Sequence, residues 1–120
     1  MKVMIVDDNA EMRTLIRNLL SRVAHEFVEC ADGQEAVTAF PSAHPDWTIM
    51  DICMPIVDGL VATRRIKAQF PEARILIITQ EHNPNLCDLA RAAGATDFLG
   101  KENLVRLEEI ITGSGSANNP

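Results

Sequence analysis

The chain has 120 residues, 47% hydrophobic and 23% charged, with a formal net charge of −6. That length suits one domain with a real core, and the acidic balance argues against nucleic-acid contact by this domain. No run approaches the ~20 consecutive apolar residues of a membrane span, and residues 1–6 are too short for a secretion signal.

Residues 1–6 are uniformly apolar apart from Lys2 and read as a first strand buried on both faces, ending in Asp7 and Asp8. Asn9 is a helix cap, after which Met12, Leu15, Ile16, Leu19 and Val23 recur at helical spacing to about residue 23. Residues 26–30 form a second strand. Asp32 and Glu35 resemble a capping box opening a short helix with Ala36, Val37 and Phe40 inward, and Pro41 and Pro45 bracket a loop. Residues 46–51 form the third strand, which stops at Asp51. Pro55 and Gly59 shape a turn, with Asp58 a turn acid, before a helix carrying Leu60, Thr63, Ile66 and Phe70 that Pro71 ends. Residues 74–79, rich in Ile, form a central parallel strand ending in Thr79. A helix over 84–93 is closed by Gly94, residues 96–99 form the fifth strand just before Lys101, and Leu104, Leu107, Ile110 and Ile111 mark a last helix to about 112. Residues 113–120 have linker composition, either a loose tail or the start of a linker.

Five strands alternating with five helices predict an α/β domain, a doubly wound parallel sheet with right-handed crossovers. Ligands in such sheets bind beyond the carboxyl ends of the strands, where strand order reverses. Asp7, Asp8, Asp51, Thr79 and Lys101 all fall on that edge. An Asp ending a central strand can be a nucleophile, a metal ligand or both. Alone, each of these residues has a duller reading: a capping acid, a strand threonine, a solvated lysine. His25, His44 and His82 lack metal-ligand spacing, and Trp47 reads as a packing residue. Cys30, Cys53 and Cys87 have no C-x-x-C spacing and fit reduced thiols in a cytoplasmic protein.

The acid pair Asp7-Asp8, the motif D-x-x-M-P-x-x-D-G over 51–59, Thr79 and Lys101 together resemble the receiver domain of bacterial two-component response regulators. The resemblance spans residues 2–112 and implies a flavodoxin-like (βα)5 fold and a phosphorylation-dependent switch rather than an enzyme with a separate substrate. It implies that Asp51 accepts a phosphoryl group from a sensor histidine kinase, a histidine phosphotransfer protein or a small acyl phosphate. Asp8, Asp51 and the backbone carbonyl of Cys53 would bind Mg²⁺, with Asp7 holding a coordinated water. Thr79 and Lys101 would contact the phosphoryl oxygens, and the domain would promote its own phosphorylation and dephosphorylation. Phe98 matches the family's switch aromatic. The surface of the fourth helix, fifth strand and fifth helix is the usual site of dimerisation or effector contact.

Two positions depart from the usual pattern. Gln80 stands where Ala or Gly commonly leaves the aspartate accessible, and Glu102 stands where Pro often follows the lysine. Cys53 and Glu81 occupy the positions that tune phosphoryl lifetime. Rival readings are a pseudo-receiver without phosphotransfer, which would normally lack an acid or the lysine, and a small Mg²⁺-dependent phosphohydrolase, for which the chain leaves little room for a substrate cap. A flavin-binding flavodoxin is disfavoured because Asp7 and Asp8 would repel a phosphate.

Overall fold

The computed structural model describes residues 1–54, 57–81 and 83–113. Pro55 and Ile56 of the motif, His82, and the expected tail beyond Gly113 lie outside the described residues. The strands are β1 (Lys2–Val6), β2 (Glu26–Cys30), β3 (Trp47–Asp51), β4 (Ile75–Thr79) and β5 (Asp97–Gly100). The helices are α1 (Ala10–Leu19), α2 (Gly33–Ala43), α3 (Gly59–Gln69), α4 (Leu86–Ala93) and α5 (Leu107–Thr112), with a 3-10 segment (Lys101–Arg106) before the last. All pairings are parallel, in the order β2-β1-β3-β4-β5.

Successive strand residues point to opposite faces, so uniformly apolar strands supply two cores. Val3, Ile5, Ile49, Leu76 and Ile78 pack with Ile16 and Leu20 from α1 and its end, and with Leu107, Ile110 and Ile111 of α5. Met4, Val6, Met50, Ile75 and Ile77 pack on the other face with α2, α3 and α4 through Phe40, Ala62, Ile66 and Ala90. Trp47 begins β3, 5% exposed, with the Arg74 guanidinium 5.3 Å from its ring. It packs as expected, from the first residue of the strand.

Besides one-residue shifts at strand ends, four features differ from expectation. Pro41 lies inside α2, not in a loop. It falls in the last turn, so the bond its missing N–H forgoes, to the Val37 carbonyl, lies at the end of the helix rather than in its middle. Phe40, packed 5.0 Å from Phe70, and Lys2 Nζ, 2.8 Å from the Ala43 carbonyl, hold that turn. Helix α1 ends at Leu19, and Val23 reaches the core from a turn whose N–H donates to Leu20 O at 3.1 Å. Helix α4 begins at Leu86, two residues beyond Pro84. The last helix divides: Lys101–Arg106 is 3-10 with Asn103 off helical geometry (φ −114°), and only Leu107–Thr112 is α-helical. Leu104, Leu107 and Ile110 recur every three residues, a spacing that a 3-10 segment satisfies as well as an α-helix.

Candidate functional site

Strand β1 lies between β2 and β3, so strand order reverses between β1 and β3. The loops leaving those two strands carry Asp7, Asp8 and the residues after Asp51, as a switch-point site requires. Asp7 follows β1 with its N–H on Cys30 O at 3.1 Å and its Oδ1 accepting from Asn9 N–H at 2.9 Å. Asn9 then caps α1, accepting from Glu11 and Met12 N–H. Asp51 is the last residue of β3, and Gly59 lies against its carbonyl: a Cβ at Gly59 would stand 2.0 Å from Asp51 O. Asp58, expected to be a turn acid outside the chemistry, is the N-cap of α3, accepting from Val61 N–H at 2.9 Å.

Asp7, Asp51 and Thr79 are 1%, 4% and 1% exposed, whereas Asp8 is exposed. Carboxylate oxygens of Asp7, Asp8 and Asp51 all lie within 4.8 Å of one another. Lys101 Nζ sits 3.1 Å from Asp7 Oδ2 and 3.4 Å from Asp51 Oδ1. Thr79 Oγ1 accepts from Glu81 N–H at 3.0 Å, which leaves its own proton available to a ligand. These residues line a cleft of about 260 Å³ together with Asn9, Cys53, Gln80 and Glu81. Sequence reading named every one of them except Asn9, which it read only as a cap.

The electrostatics are unbalanced toward negative charge. Burial is the main reason the Asp51 pKa is pushed up to about 6, and the neighbouring Asp7 adds to it, against the opposing pull of Lys101. For Lys101, burial works against the charge, but its hydrogen bond to Asp7 and the fields of Asp51 and Asp7 prevail, so its pKa lies above the ordinary lysine value. Two carboxylates at the spacing of Asp7 and Asp51 repel by about 3 kcal/mol at an effective dielectric of ~20. One lysine cannot neutralise three acids. At the mouth of the cleft, Cys53 Sγ donates to Glu81 Oε1 at 2.9 Å, and that bond, ahead of burial, pushes the Cys53 thiol up to about 11. Buried Cys30 is likewise held protonated, at about 11, by desolvation and the nearby acids Glu35 and Asp32.

Two further residues support the site. Arg13 Nη1 donates to the Asp7 carbonyl at 2.6 Å while its Nε pairs with Glu29 Oε1 at 3.0 Å. Nothing in the sequence distinguishes Arg13 from any polar position of an amphipathic helix, so only the structure reveals it. Gly33 donates its N–H to Val57 O at 3.1 Å, tying the start of α2 to the segment after β3. Phe98 on β5 is half-buried against the second core and borders a pocket of about 150 Å³ with Cys87, Ala90 and Arg91.

A five-stranded parallel sheet with helices on both faces and an acid cluster plus lysine at its switch point is the flavodoxin-like receiver architecture. The family model described as response regulator receiver domain matches residues 3–112, and the chain belongs to that family of two-component signalling domains. Chemotaxis protein CheY of Bacillus subtilis is 37% identical over 101 residues, covering 83% of this chain and 84% of its relative. Among solved structures, Vibrio cholerae CheY4 has 30% identity and a TM-score of 0.84, covering 93% of this chain and 96% of that one. The fold recurs at 24% identity and a TM-score of 0.87 in the CheX-CheY-BeF3-Mg²⁺ complex from Borrelia burgdorferi, over 93% of this chain and 87% of that one. No helix among the described residues is long and apolar enough to cross a membrane.

Proposed function

We propose that this domain, spanning about residues 1–112, is a phosphorylation-dependent switch whose acceptor is Asp51. A carboxylate oxygen of Asp51 attacks the phosphorus of a phosphohistidine on a sensor histidine kinase or phosphotransfer protein. The P–N bond breaks, imidazole leaves and an acyl phosphate remains on Asp51; a small acyl phosphate can donate in the same way, losing a carboxylate. Phosphoryl transfer needs little covalent chemistry from the protein beyond the nucleophile, so positioning and charge stabilisation dominate. The domain promotes its own phosphorylation and dephosphorylation and transforms no separate substrate.

The donor set fits Mg²⁺, which favours oxygen ligands and retains several waters. Asp8, Asp51 and the Cys53 backbone carbonyl would hold it, with Asp7 acting through a coordinated water. When bound, it supplies the positive charge that the carboxylate cluster lacks. Lys101 pairs with Asp51 before transfer and with a phosphoryl oxygen afterwards, its compact ammonium suiting both. Thr79 donates its hydroxyl to a second phosphoryl oxygen and moves toward it, drawing Phe98 inward. The change is read at the surface of α4, β5 and α5, by a second copy or an effector. An acidic domain of this kind makes no direct nucleic-acid contact, and the unpaired thiols of Cys30, Cys53 and Cys87 suit the cytoplasm.

The observation that carries this reading is Lys101 Nζ bridging two buried acids, Asp7 and Asp51, at the switch point. Incubation with a small acyl phosphate and Mg²⁺ should label the wild-type chain, and Asp51→Asn should abolish labelling while the chain stays folded. Equal labelling of Asp51→Asn would place the acceptor elsewhere.

A further inference from the structure

We propose that Arg13 is a positioning residue for the divalent-cation site, acting through the peptide that joins Asp7 to Asp8. The inference rests on the Mg²⁺ reading above and deepens it. Asp8 is exposed, and among the described residues its carboxylate accepts no hydrogen bond and makes no ion pair, yet its oxygen lies within 4.8 Å of those of Asp7 and Asp51. Its placement therefore comes from the backbone. Asp7 is pinned by its N–H on Cys30 O, and its Oδ1 under Asn9 N–H closes a ring that includes the Asp7–Asp8 peptide, but neither contact bonds that peptide's own carbonyl. The 2.6 Å bond from Arg13 Nη1 to Asp7 O does. Rotation of that peptide would swing the Asp8 side chain out of the cleft.

Arg13 is itself held. Its Nε meets Glu29 Oε1 at 3.0 Å, the other Glu29 oxygen meets Arg17 Nη1 at 3.1 Å, and the Arg17 guanidinium lies 5.1 Å from the centre of the Phe27 ring. A planar guanidinium can bond a carbonyl and a carboxylate at once, which an ammonium cannot do in the same geometry. The Arg13 side chain is 18% exposed and its bond to the Asp7 carbonyl is part-buried, whereas the pairs on Glu29 face solvent. A cation beside an intended cation site opposes binding electrostatically. Fixing the peptide and merely offsetting negative charge thus make opposite predictions: loss of Arg13 weakens Mg²⁺ binding in the first case and strengthens it in the second.

The test is calorimetric titration of Mg²⁺ into the full chain at neutral pH, with melting temperature in chelator measured alongside. Asp8→Asn should remove most of the binding. Arg13→Ala should raise the dissociation constant by about tenfold, the lower end of what supporting contacts to metal ligands contribute. Arg13→Lys should not restore affinity although it restores the charge. Glu29→Gln should weaken binding less, and the double variant with Arg13→Ala should be no weaker than Arg13→Ala alone, since both act through one contact. Should Arg13→Ala fail to fold, Glu29→Gln and Arg13→Lys carry the test. Wild-type affinity or tighter in Arg13→Ala, with Asp8→Asn still defective, overturns this inference alone. Absence of Mg²⁺ binding by the wild-type chain overturns it together with the reading on which it rests.

Discussion

At Asp51 the surroundings work against the charge that the proposed nucleophilic attack would require. The unfolded carboxyl titrates near ~4, whereas burial and Asp7 push the folded one up to about 6. Between those values the native chain keeps a proton that the unfolded chain has lost, so stability falls as pH rises through that window and stays low above it. Without Mg²⁺, Asp51→Asn should therefore be more stable than wild type at pH 7–8 by about 1–3 kcal/mol. The two should converge as the pH approaches ~4. Denaturant unfolding at both pH values measures this; a variant less stable than wild type at neutral pH would contradict the repulsion on which the site is built. The Cys53–Glu81 bond belongs to the same scale. Glu81→Ala removes an acid from the cleft mouth and frees the thiol, and the lifetime of the acyl phosphate should change. An unaltered decay rate would deny Glu81 any part in dephosphorylation.

At the scale of elements, the sequence was legible where one physical signal dominated. Ile-rich 75–79 and apolar 2–6 could only be central strands, and both end on the polar residues that form the site. Legibility failed where two signals competed. Pro41 suggested a break, but burial of Phe40 and capping of the Ala43 carbonyl by Lys2 kept the helix going. Leu104, Leu107 and Ile110 indicated helical structure without separating 3-10 from α geometry. Arg13 was invisible because its role depends on where the Asp7 carbonyl points, which no pattern of residue types encodes. The start of α3 offers a paired test. Asp58→Ala removes a cap and should cost about 1 kcal/mol while leaving phosphoryl acceptance intact. Gly59→Ala would force a Cβ to within 2.0 Å of Asp51 O. That should cost about 1–3 kcal/mol by overpacking and also impair acceptance, because the strained backbone is that of the proposed acceptor. Equal labelling and stability in the two variants would show that the Gly59 approach has no bearing on the site.

For the whole molecule, the parallel sheet gathers residues from four strand ends, up to 94 positions apart in sequence, into one cleft. Binding that is confined to the folded state must then stabilise the fold. Mg²⁺ at ten times its dissociation constant should add about 1.4 kcal/mol, seen as a raised melting temperature that Asp8→Asn abolishes. An unchanged melting temperature, with no binding by direct titration, would remove the cation from the account. The most direct measurement is the site of modification itself. After treatment with a small acyl phosphate and Mg²⁺, reduction of the acyl phosphate with borohydride and peptide mass spectrometry should place the modification on Asp51, and chelator should prevent it. Modification mapped to another residue, or undiminished by chelator, would contradict the claim that this acid cluster makes Asp51 the acceptor.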